Sequence, residues 1–199
     1  MTPFLPVSFF ERPFLDVARD LVGCTLVWDG CAGLIVELEA YAVENDAACH
    51  TMFRPSARAF VTRHSAGAAY VYLNYGMYWL LNVLIKGGGS DGIVLIRALE
   101  PTIGIETMRR RRGREMLRDL CSGPGKLGVA IGLGPRDHGC QLAFVKPPRK
   151  RQERGFLRRA QESPLDIATD VRIGISQAAE LPWRFLIRGN PHVSVRPRT

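Results

Sequence analysis

Apolar and polar positions alternate most regularly between Leu34 and Tyr41, and this stretch organises the rest of the chain. Because successive side chains of a strand point to opposite faces, the alternation predicts a β-strand over 34–41. One face carries Leu34, Val36, Leu38 and Ala40, and the other carries Ile35, Glu37, Glu39 and Tyr41. The second face therefore holds two carboxylates about 7 Å apart along the strand. A solvated acidic face is the ordinary interpretation of such a pattern, so the other segments must decide between structure and chemistry.

The remaining periodicities predict strands and helices in a single domain, 1–199. Segment 42–69 is only weakly periodic and is interpreted as a loop. Arg97 closes an apolar run, so the ordinary expectation is a strand end that reaches water. The predicted helices are 12–22 and 102–112, and Thr102 is expected to cap the second. The predicted strands are 24–28, a hairpin over 70–85, 93–97, and two strands within 184–195.

Tyrosine is concentrated in the predicted hairpin, where four of the five tyrosines lie within residues 70–78. Asn74, Tyr75 and Gly76 form a turn-like sequence, which places Tyr75 near the tip. Aromatic residues in strands normally enter the core or pair across strands. A tyrosine at a tip has no core to enter, so its position favours a ring on which a ligand packs.

Charge is unevenly distributed along the chain. The net charge is +8, with −3 on residues 1–96 and +11 on residues 97–199, and 23 of the 27 cations are arginine. A GC-rich genome would explain arginine in place of lysine but not the excess over carboxylates. The basic half therefore predicts a polyanionic partner. Within it, 109–112 is a run of four arginines. Segment 146–159, with seven cations and one acid, is expected to be a surface excursion or a mobile loop.

Several other classes of protein are disfavoured. The five cysteines are odd in number and contain no C-x-x-C pair, so neither a disulfide framework nor a four-cysteine metal site is indicated. No apolar run approaches the length of a membrane span, and the N-terminus lacks the features of a signal peptide. We expect a cytoplasmic bacterial protein.

Two glycine-rich stretches imitate phosphate-binding motifs. Residues 87–92 spell G-x-G-x-x-G, but an apolar strand run follows them instead of a helix, which excludes the dinucleotide fingerprint. Residues 121–128 resemble a loop that leads into a helix, yet they lack the first glycine of a P-loop, and Leu127 follows Lys126. Anion binding at that helix start remains open.

Six blocks in chain order resemble the alkyladenine (3-methyladenine) DNA glycosylases of the mammalian type. Each block is short, but six in the same order across nearly the whole chain are highly specific. The matching residues are 35–41 with His50, 70–78 with Asn82, 95–101, 105–109, 121–127 and 184–191. The resemblance implies an α+β fold with a curved, mostly antiparallel, open-barrel-like sheet, flanking helices and a protruding hairpin.

The resemblance also implies the activity and the residues that perform it. Such enzymes are monofunctional, need no metal or cofactor, act as monomers on duplex DNA, rotate damaged purines out of the stack and hydrolyse the glycosidic bond. Glu39 would be the general base, Arg97 would orient the water and the carboxylate, and Glu37 would be structural. The base pocket would comprise Tyr41, His50, Tyr72 and Asn82, and the DNA contacts Tyr75, Met77, Lys126 and Arg188. For His192 and Lys126, contact with DNA and a plain surface position are both open interpretations.

Three rival classes explain less of the sequence. A zinc base deaminase needs H-x-E and P-C-x-x-C motifs, and neither is present. A glycosylase with lyase activity needs an amine nucleophile, whereas the four lysines lie outside the acidic and aromatic cluster. A non-catalytic nucleic-acid-binding module would account for the tyrosines and the charge, but it leaves Glu39, Arg97 and His50 without a role.

Overall fold

The computed structural model describes residues 4–145, 153–159 and 164–197 of the chain. The fold is α+β, as predicted, with a curled antiparallel sheet that forms a half-barrel and helices packed against it. The helices are α1 (Phe14–Leu21), α2 (His50–Phe53), α3 (Pro55–Arg63), α4 (Ile105–Arg112), α5 (Leu117–Cys121) and α6 (Pro124–Ile131). The strands are β1 (Thr25–Trp28), β2 (Cys31–Ala42), β3 (Ala69–Asn74), β4 (Tyr78–Ile85), β5 (Gly92–Ile103), β6 (Arg154–Leu157), β7 (Ile167–Asp170) and β8 (Arg184–Ile187).

Strand β2 is the centre of the sheet, as its sequence pattern suggested. The strand order is β3-β4-β5-β2-β1-β6, and β8 pairs with both β2 and β7. One edge of β2 pairs with β5 along nearly its whole length. The other edge pairs first with β1 and then with β8. Three strands therefore meet at β2, and the acidic part of β2 lies between β5 and β8.

The simple alternation predicted for β2 is wrong at one point, because a bulge interrupts the strand. The pairing with β5 shifts between Ile35 and Glu37, which leaves Val36 as an extra residue on β2. Ile35 consequently packs in the main core with Leu38 and Ala40. Val36 packs in a separate small cluster beneath β7 and β8. A period of two cannot continue through a bulge, since the extra residue reverses the faces.

A second irregularity positions Arg97. Glu37 pairs with Ala98 and Leu38 pairs with Ile96, so Arg97 is an extra residue on β5 between these two pairs. Strand β5 continues to Ile103, and Arg97 is only 7% exposed. The expectation of a strand end that reaches water is therefore wrong. Bulges of this kind re-aim a side chain next to a functional site.

Two helices cover the sheet through close contacts. Helix α1 buries Phe14, Val17 and Leu21 in the main core. Helix α6 lies so close to β4 that a Cβ at Gly128 would stand 2.2 Å from the carbonyl oxygen of Trp79. Among the residues that the structure describes, no helix combines the length and the apolar character required to cross a lipid bilayer.

The predicted helices agree with the structure in position but less well in extent. Helix α1 lies within the predicted 12–22. Helix α4 begins after Gly104, whose φ of 74° favours glycine, while Thr102 belongs to β5, so the predicted start is wrong. The loop predicted over 42–69 is also wrong for part of its length, because it contains α2 and α3.

Two further segments differ from their predictions. Of the basic stretch 146–159, residues 146–152 lie outside the described part, and 154–157 form β6 against β1, so this part is not a surface excursion. Within 184–195 the structure has β8 but not the predicted second strand. Ser194 in this segment instead donates hydrogen bonds to Glu37, and these bonds take the place of pairing with a neighbouring strand.

Candidate active site

A cavity of about 250 Å³ opens between the sheet and the segments that follow β2 and β7. All four residues predicted to form a base pocket line it, so the structure brings Tyr41, His50, Tyr72 and Asn82 together. The remaining wall residues are Ala47, Ala48, Cys49, Phe53, Tyr70, Asn74, Ile93, Gly174, Ile175, Ser176 and Gln177. The wall therefore combines aromatic and apolar side chains with polar groups.

His50 stands at the centre of an aromatic group. Its ring centroid lies 4.3 Å from that of Tyr72 and 5.4 Å from that of Phe53, both edge to face. Its Nδ1 atom lies 3.0 Å from the hydroxyl of Tyr70. Burial, with the neighbouring charge of Arg54, lowers the pKa of His50 to about 4, so the ring is neutral at neutral pH.

The tyrosines of the wall keep their protons. Burial raises the pKa of Tyr70 and that of Tyr72 to about 12. Burial and then the charge of Glu39 raise the pKa of Tyr41 above its ordinary value. Each hydroxyl therefore keeps its proton at neutral pH and can donate a hydrogen bond. The Tyr41 hydroxyl donates to Glu39, and the Tyr70 hydroxyl shares a hydrogen bond with His50 Nδ1.

Asn82 is held in a fixed orientation. It is 3% exposed, and its Nδ2 atom donates to the carbonyl oxygen of Tyr70 at 3.0 Å. This bond distinguishes the two ends of the amide, because only the nitrogen can donate to a carbonyl. Tyr70 thus contacts two predicted pocket residues, with its hydroxyl at His50 and its backbone at Asn82. Tyr70 is not among the predicted site residues, although it shares a predicted strand face with Tyr72.

Glu39 does not line the cavity but lies directly behind Tyr41. Its side chain has no exposed surface. The Tyr41 hydroxyl donates to Oε2 at 2.8 Å, and Arg97 Nη1 donates to the same oxygen at 3.2 Å. The backbone N–H of Ile173 donates to Oε1 at 2.7 Å. A carboxylate offers about four lone-pair sites, so these three donors leave one site open on Glu39.

Glu37 has a more complete set of partners than Glu39. Arg97 Nε, Arg184 Nε and the Ser194 hydroxyl donate to its Oε1 at 3.0, 2.8 and 2.8 Å. The Ser194 N–H donates to Oε2 at 2.6 Å. Four donors thus hold this buried carboxylate, three of them on Oε1 and one on Oε2. Glu37 is thus a structural acceptor at the junction of β2, β5 and β8.

Arg97 bridges the two carboxylates. Burial opposes its positive charge, but Glu39 and Glu37 outweigh this effect and raise the pKa of Arg97. Arg184 also pairs with Asp170 at 3.0 Å. Among the described residues, this cluster therefore joins three carboxylates to two guanidinium groups. The predicted pair of Glu39 and Arg97 is in direct contact.

Three residues of this region were not among the predicted site residues. Asp46 and Arg172 form a fully buried ion pair, and Ile173 supplies the N–H that contacts Glu39. Asp46 follows the acidic strand and could be noted as a nearby carboxylate. Nothing in the local pattern indicates Arg172 or Ile173, because residues 171–178 have no regular periodicity and reach the site only through the tertiary fold.

The four predicted DNA contacts are exposed but are not all alike. Tyr75 lies in the connection between β3 and β4 with a φ of 49° and is 81% exposed, and Met77 beside it is 65% exposed. Lys126 is exposed in the first turn of α6, where its Nζ atom lies 3.3 Å from the Ser122 hydroxyl. Arg188 is exposed and pairs with Asp166 at 3.1 Å. Their contact with DNA remains a prediction.

Part of the arginine run in α4 has a structural use. Arg111 Nη1 donates to the carbonyl oxygen of Ala130 at 3.1 Å, and Arg112 Nε donates to that of Leu120 at 3.2 Å. These carbonyls lie at the ends of α6 and α5, where helices present unsatisfied acceptors.

His192 is 6% exposed, so it is not an open surface residue.

Comparison with known proteins identifies the family. A sequence model described as methylpurine-DNA glycosylase (MPG) matches residues 8–191. A protein of Rhodopseudomonas palustris (strain BisB18) is 46% identical over 192 residues, which cover 96% of this chain and 91% of that protein. A protein of Bradyrhizobium diazoefficiens is 43% identical over 187 residues, which cover 94% of this chain and 88% of that protein. Both carry the name "Putative 3-methyladenine DNA glycosylase".

These matches confirm the family and the enzyme class that the six sequence blocks predicted. The family model spans most of the described structure, including the acidic strand β2, the tyrosine-rich strands β3 and β4, and the segment that carries Ile173. The chain belongs to the methylpurine-DNA glycosylase family and is a DNA glycosylase, an enzyme of DNA base-excision repair that hydrolyses N-glycosidic bonds.

Proposed function

We propose that this protein is a monofunctional glycosylase that rotates alkylated or deaminated purines out of duplex DNA and hydrolyses the bond between base and sugar. The names of its relatives support 3-methyladenine as one candidate lesion. The base would enter the cavity lined by Tyr41, His50 and Tyr72. Water would attack the sugar carbon C1′, and the product would be a free base and an abasic site.

The difference between Glu39 and Glu37 carries this proposal. Both carboxylates are buried on the same strand, but Glu37 accepts from four donors and Glu39 from three. Glu39 has one donor fewer, and of the two carboxylates it is the one whose side chain is bonded to a residue of the cavity wall, Tyr41. Glu39 is thus suited to be the general base, with Arg97 holding its orientation.

Charge favours the same reaction. Departure of the base gives the sugar oxocarbenium character, and an anion beside it stabilises that positive charge in a site from which water is excluded. The carboxylate of Glu39 is such an anion, and it lies behind Tyr41 of the cavity wall. Protein groups already fixed in place need little reorganisation during the reaction, which makes this stabilisation more effective.

The aromatic wall suits a damaged purine. An alkylated purine is planar and electron-poor, so it stacks on tyrosine faces and gains cation–π attraction when it is cationic. The neutral His50 and the fixed amide of Asn82 provide polar groups that can read the edge of the base. We assign to Asn82 the exclusion of guanine, whose 2-amino group would meet the fixed amide.

Binding of the duplex is assigned to Tyr75, Met77, Lys126 and Arg188. An exposed aromatic ring can occupy the gap that a rotated base leaves in the stack. The basic second half of the chain supplies phosphate contacts. Among the described residues that line the cavity, none is a lysine, which supports hydrolysis by water in place of an amine nucleophile.

The direct test uses duplexes that contain one hypoxanthine or one ethenoadenine, together with methylated DNA, in buffer with a metal chelator. We expect release of free base and strands that break only after alkali treatment. Borohydride should trap no covalent adduct of protein and DNA. Binding of the duplexes without release of any base would instead support a non-catalytic module, and a trapped adduct would refute the monofunctional assignment.

A further inference from the structure

Two irregular segments contribute to the cavity wall, and one buried ion pair joins them. The segment after β2 provides Ala47, Ala48 and Cys49, and the segment after β7 provides Gly174 to Gln177. Asp46 in the first segment and Arg172 in the second are paired at 2.5 and 2.9 Å, and neither side chain has exposed surface. The pair therefore fixes one part of the wall relative to the other.

Asp46 organises the first segment from its interior. Its carboxylate accepts from the backbone N–H of Ala42 at 3.2 Å and from that of Ala48 at 3.1 Å, in addition to the two bonds from Arg172. Its own carbonyl accepts from the N–H of Cys49 at 2.8 Å. Cys49 immediately precedes α2, which begins at His50. The position of His50 in the cavity thus depends on the turn that Asp46 holds.

Arg172 organises the second segment and reaches Glu39 by two routes. It donates to the carbonyl oxygen of Ala40 at 3.1 Å, which ties this segment to β2, and to that of Ala178 at 3.0 Å, which lies within the segment itself. The next residue, Ile173, donates its N–H to Glu39 Oε1. The guanidinium carbon also lies 4.6 Å from the ring centroid of Tyr41, whose hydroxyl donates to Glu39 Oε2. Both oxygens of Glu39 are therefore contacted by neighbours of Arg172.

We propose that Asp46 and Arg172 are positioning residues for base excision, which hold the Ile173 N–H and the Tyr41 hydroxyl against Glu39 and keep the two parts of the cavity wall together. This inference rests on the proposed role of Glu39. A buried ion pair contributes little net stability compared with apolar residues, so its value here is geometric. Arginine is needed because its planar fork makes several directed bonds at once, which lysine cannot do.

The test compares two substitutions of arginine by lysine. Arg172→Lys keeps the positive charge but removes the fork. Arg154→Lys is the matched control, because Arg154 also pairs with two aspartates, Asp29 and Asp137, and lies 4.7 Å over the ring of Trp28. Arg154 lies on β6, at the opposite end of the strand order from β3, and does not belong to the cavity wall.

Excision is measured in single turnovers at a temperature at which both variants are folded. A displacement of about 1 Å in a catalytic group can cost on the order of 10²-fold in rate, so we expect Arg172→Lys to lose between about tenfold and 10²-fold. Arg154→Lys should keep its rate. Binding to a duplex with an abasic-site analogue, which places no base in the cavity, should be unchanged in both variants. Normal excision by Arg172→Lys, or equal losses in the two variants, would overturn the proposal.

A second measurement does not depend on catalysis. The Ile173 amide donates to Glu39, so its hydrogen exchange, measured by NMR, should become faster in Arg172→Lys and stay unchanged in Arg154→Lys. The amide of Gly67, which donates to the carbonyl of Leu84 at 2.8 Å, serves as a reference. Unchanged exchange at Ile173 would refute the positioning role. If the unaltered protein releases no base, the proposed function fails, and exchange at Ile173 alone then decides whether the pair positions this segment.

Discussion

Replacement of Glu39 by glutamine separates catalysis from structure most sharply, because the chain offers a matched control two residues away. Glu39→Gln can keep an amide oxygen for Tyr41 and Arg97, but its NH₂ group then faces the N–H of Ile173. Glu37→Gln can likewise keep an oxygen for its three side-chain donors while its NH₂ group faces the N–H of Ser194. Either change removes one negative charge from the same cluster.

The expected magnitudes follow from this symmetry. Each variant loses one hydrogen bond to a charged acceptor, which is worth about 1.5–3 kcal/mol, so both should lower the free energy of unfolding by similar amounts. Only Glu39→Gln also loses the proposed base. General base catalysis contributes on the order of 10²-fold or more, and 10²-fold corresponds to about 2.7 kcal/mol of activation free energy. Glu37→Gln should retain excision within roughly tenfold, which is about 1.4 kcal/mol.

The assay is single-turnover excision with protein in excess, together with chemical unfolding of each variant and binding to a lesion duplex. Binding should survive in Glu39→Gln, because stacking and phosphate contacts do not involve the carboxylate. Equal losses of excision in the two variants would reduce the assignment to an acidic strand near the site. Normal excision by Glu39→Gln with loss in Glu37→Gln would show that the base is two residues away from the position assigned here.

Three further outcomes are expected. Tyr75→Ser should weaken lesion binding and excision but leave the melting temperature unchanged, since the ring is 81% exposed and its proposed use is to offset unstacking that costs a few kcal/mol; equal activity would remove Tyr75 from the mechanism. The affinity for undamaged duplex should fall steeply with salt because phosphate contacts release counterions, and a flat response would exclude the basic surface as the DNA-binding face. Because the pKa of His50 is lowered from 6.5 to about 4, the unfolded chain binds a proton first, so the His50 contribution to stability falls as the pH drops from about 6.5 towards 4. Unfolding measured across this range should show a smaller dependence in His50→Gln, and an identical dependence would refute the lowered pKa.

The sequence predicted the site best where chemistry and strand periodicity coincide. Glu39, Tyr41, Tyr72 and Asn82 lie on regular strands, and a family resemblance sufficed to place them at one cavity or, for Glu39, behind its wall. Residues 171–178 escaped prediction because their conformation is set by long-range contacts, chiefly the pairing of Arg172 with Asp46, and not by local propensity. No local signal exists for a backbone N–H such as that of Ile173, since any residue could supply it.

The errors in the fold have equally specific causes. Helix α3 was overlooked in a segment rich in small residues, although Pro55 at its first turn and the buried Ala57, Phe60 and Val61 are spaced as on one helix face. The bulges at Val36 and Arg97 could not be predicted from alternation, because the sequence of one strand does not show how its partner strand is aligned with it.

The wide spacing of the Glu37 partners along the chain has a consequence for folding. Arg97 is 60 residues from Glu37, Arg184 is 147 and Ser194 is 157. Closing the longest of these loops instead of the shortest costs only about 0.9 kcal/mol of chain entropy, which is less than one charge-assisted bond. Contacts so distant in sequence nevertheless form slowly, so a partly folded chain with β2 and β5 already paired still lacks Arg184 and Ser194. Substitutions at these two positions should therefore reduce the fraction of molecules with an assembled site before they alter the chemistry of any assembled one.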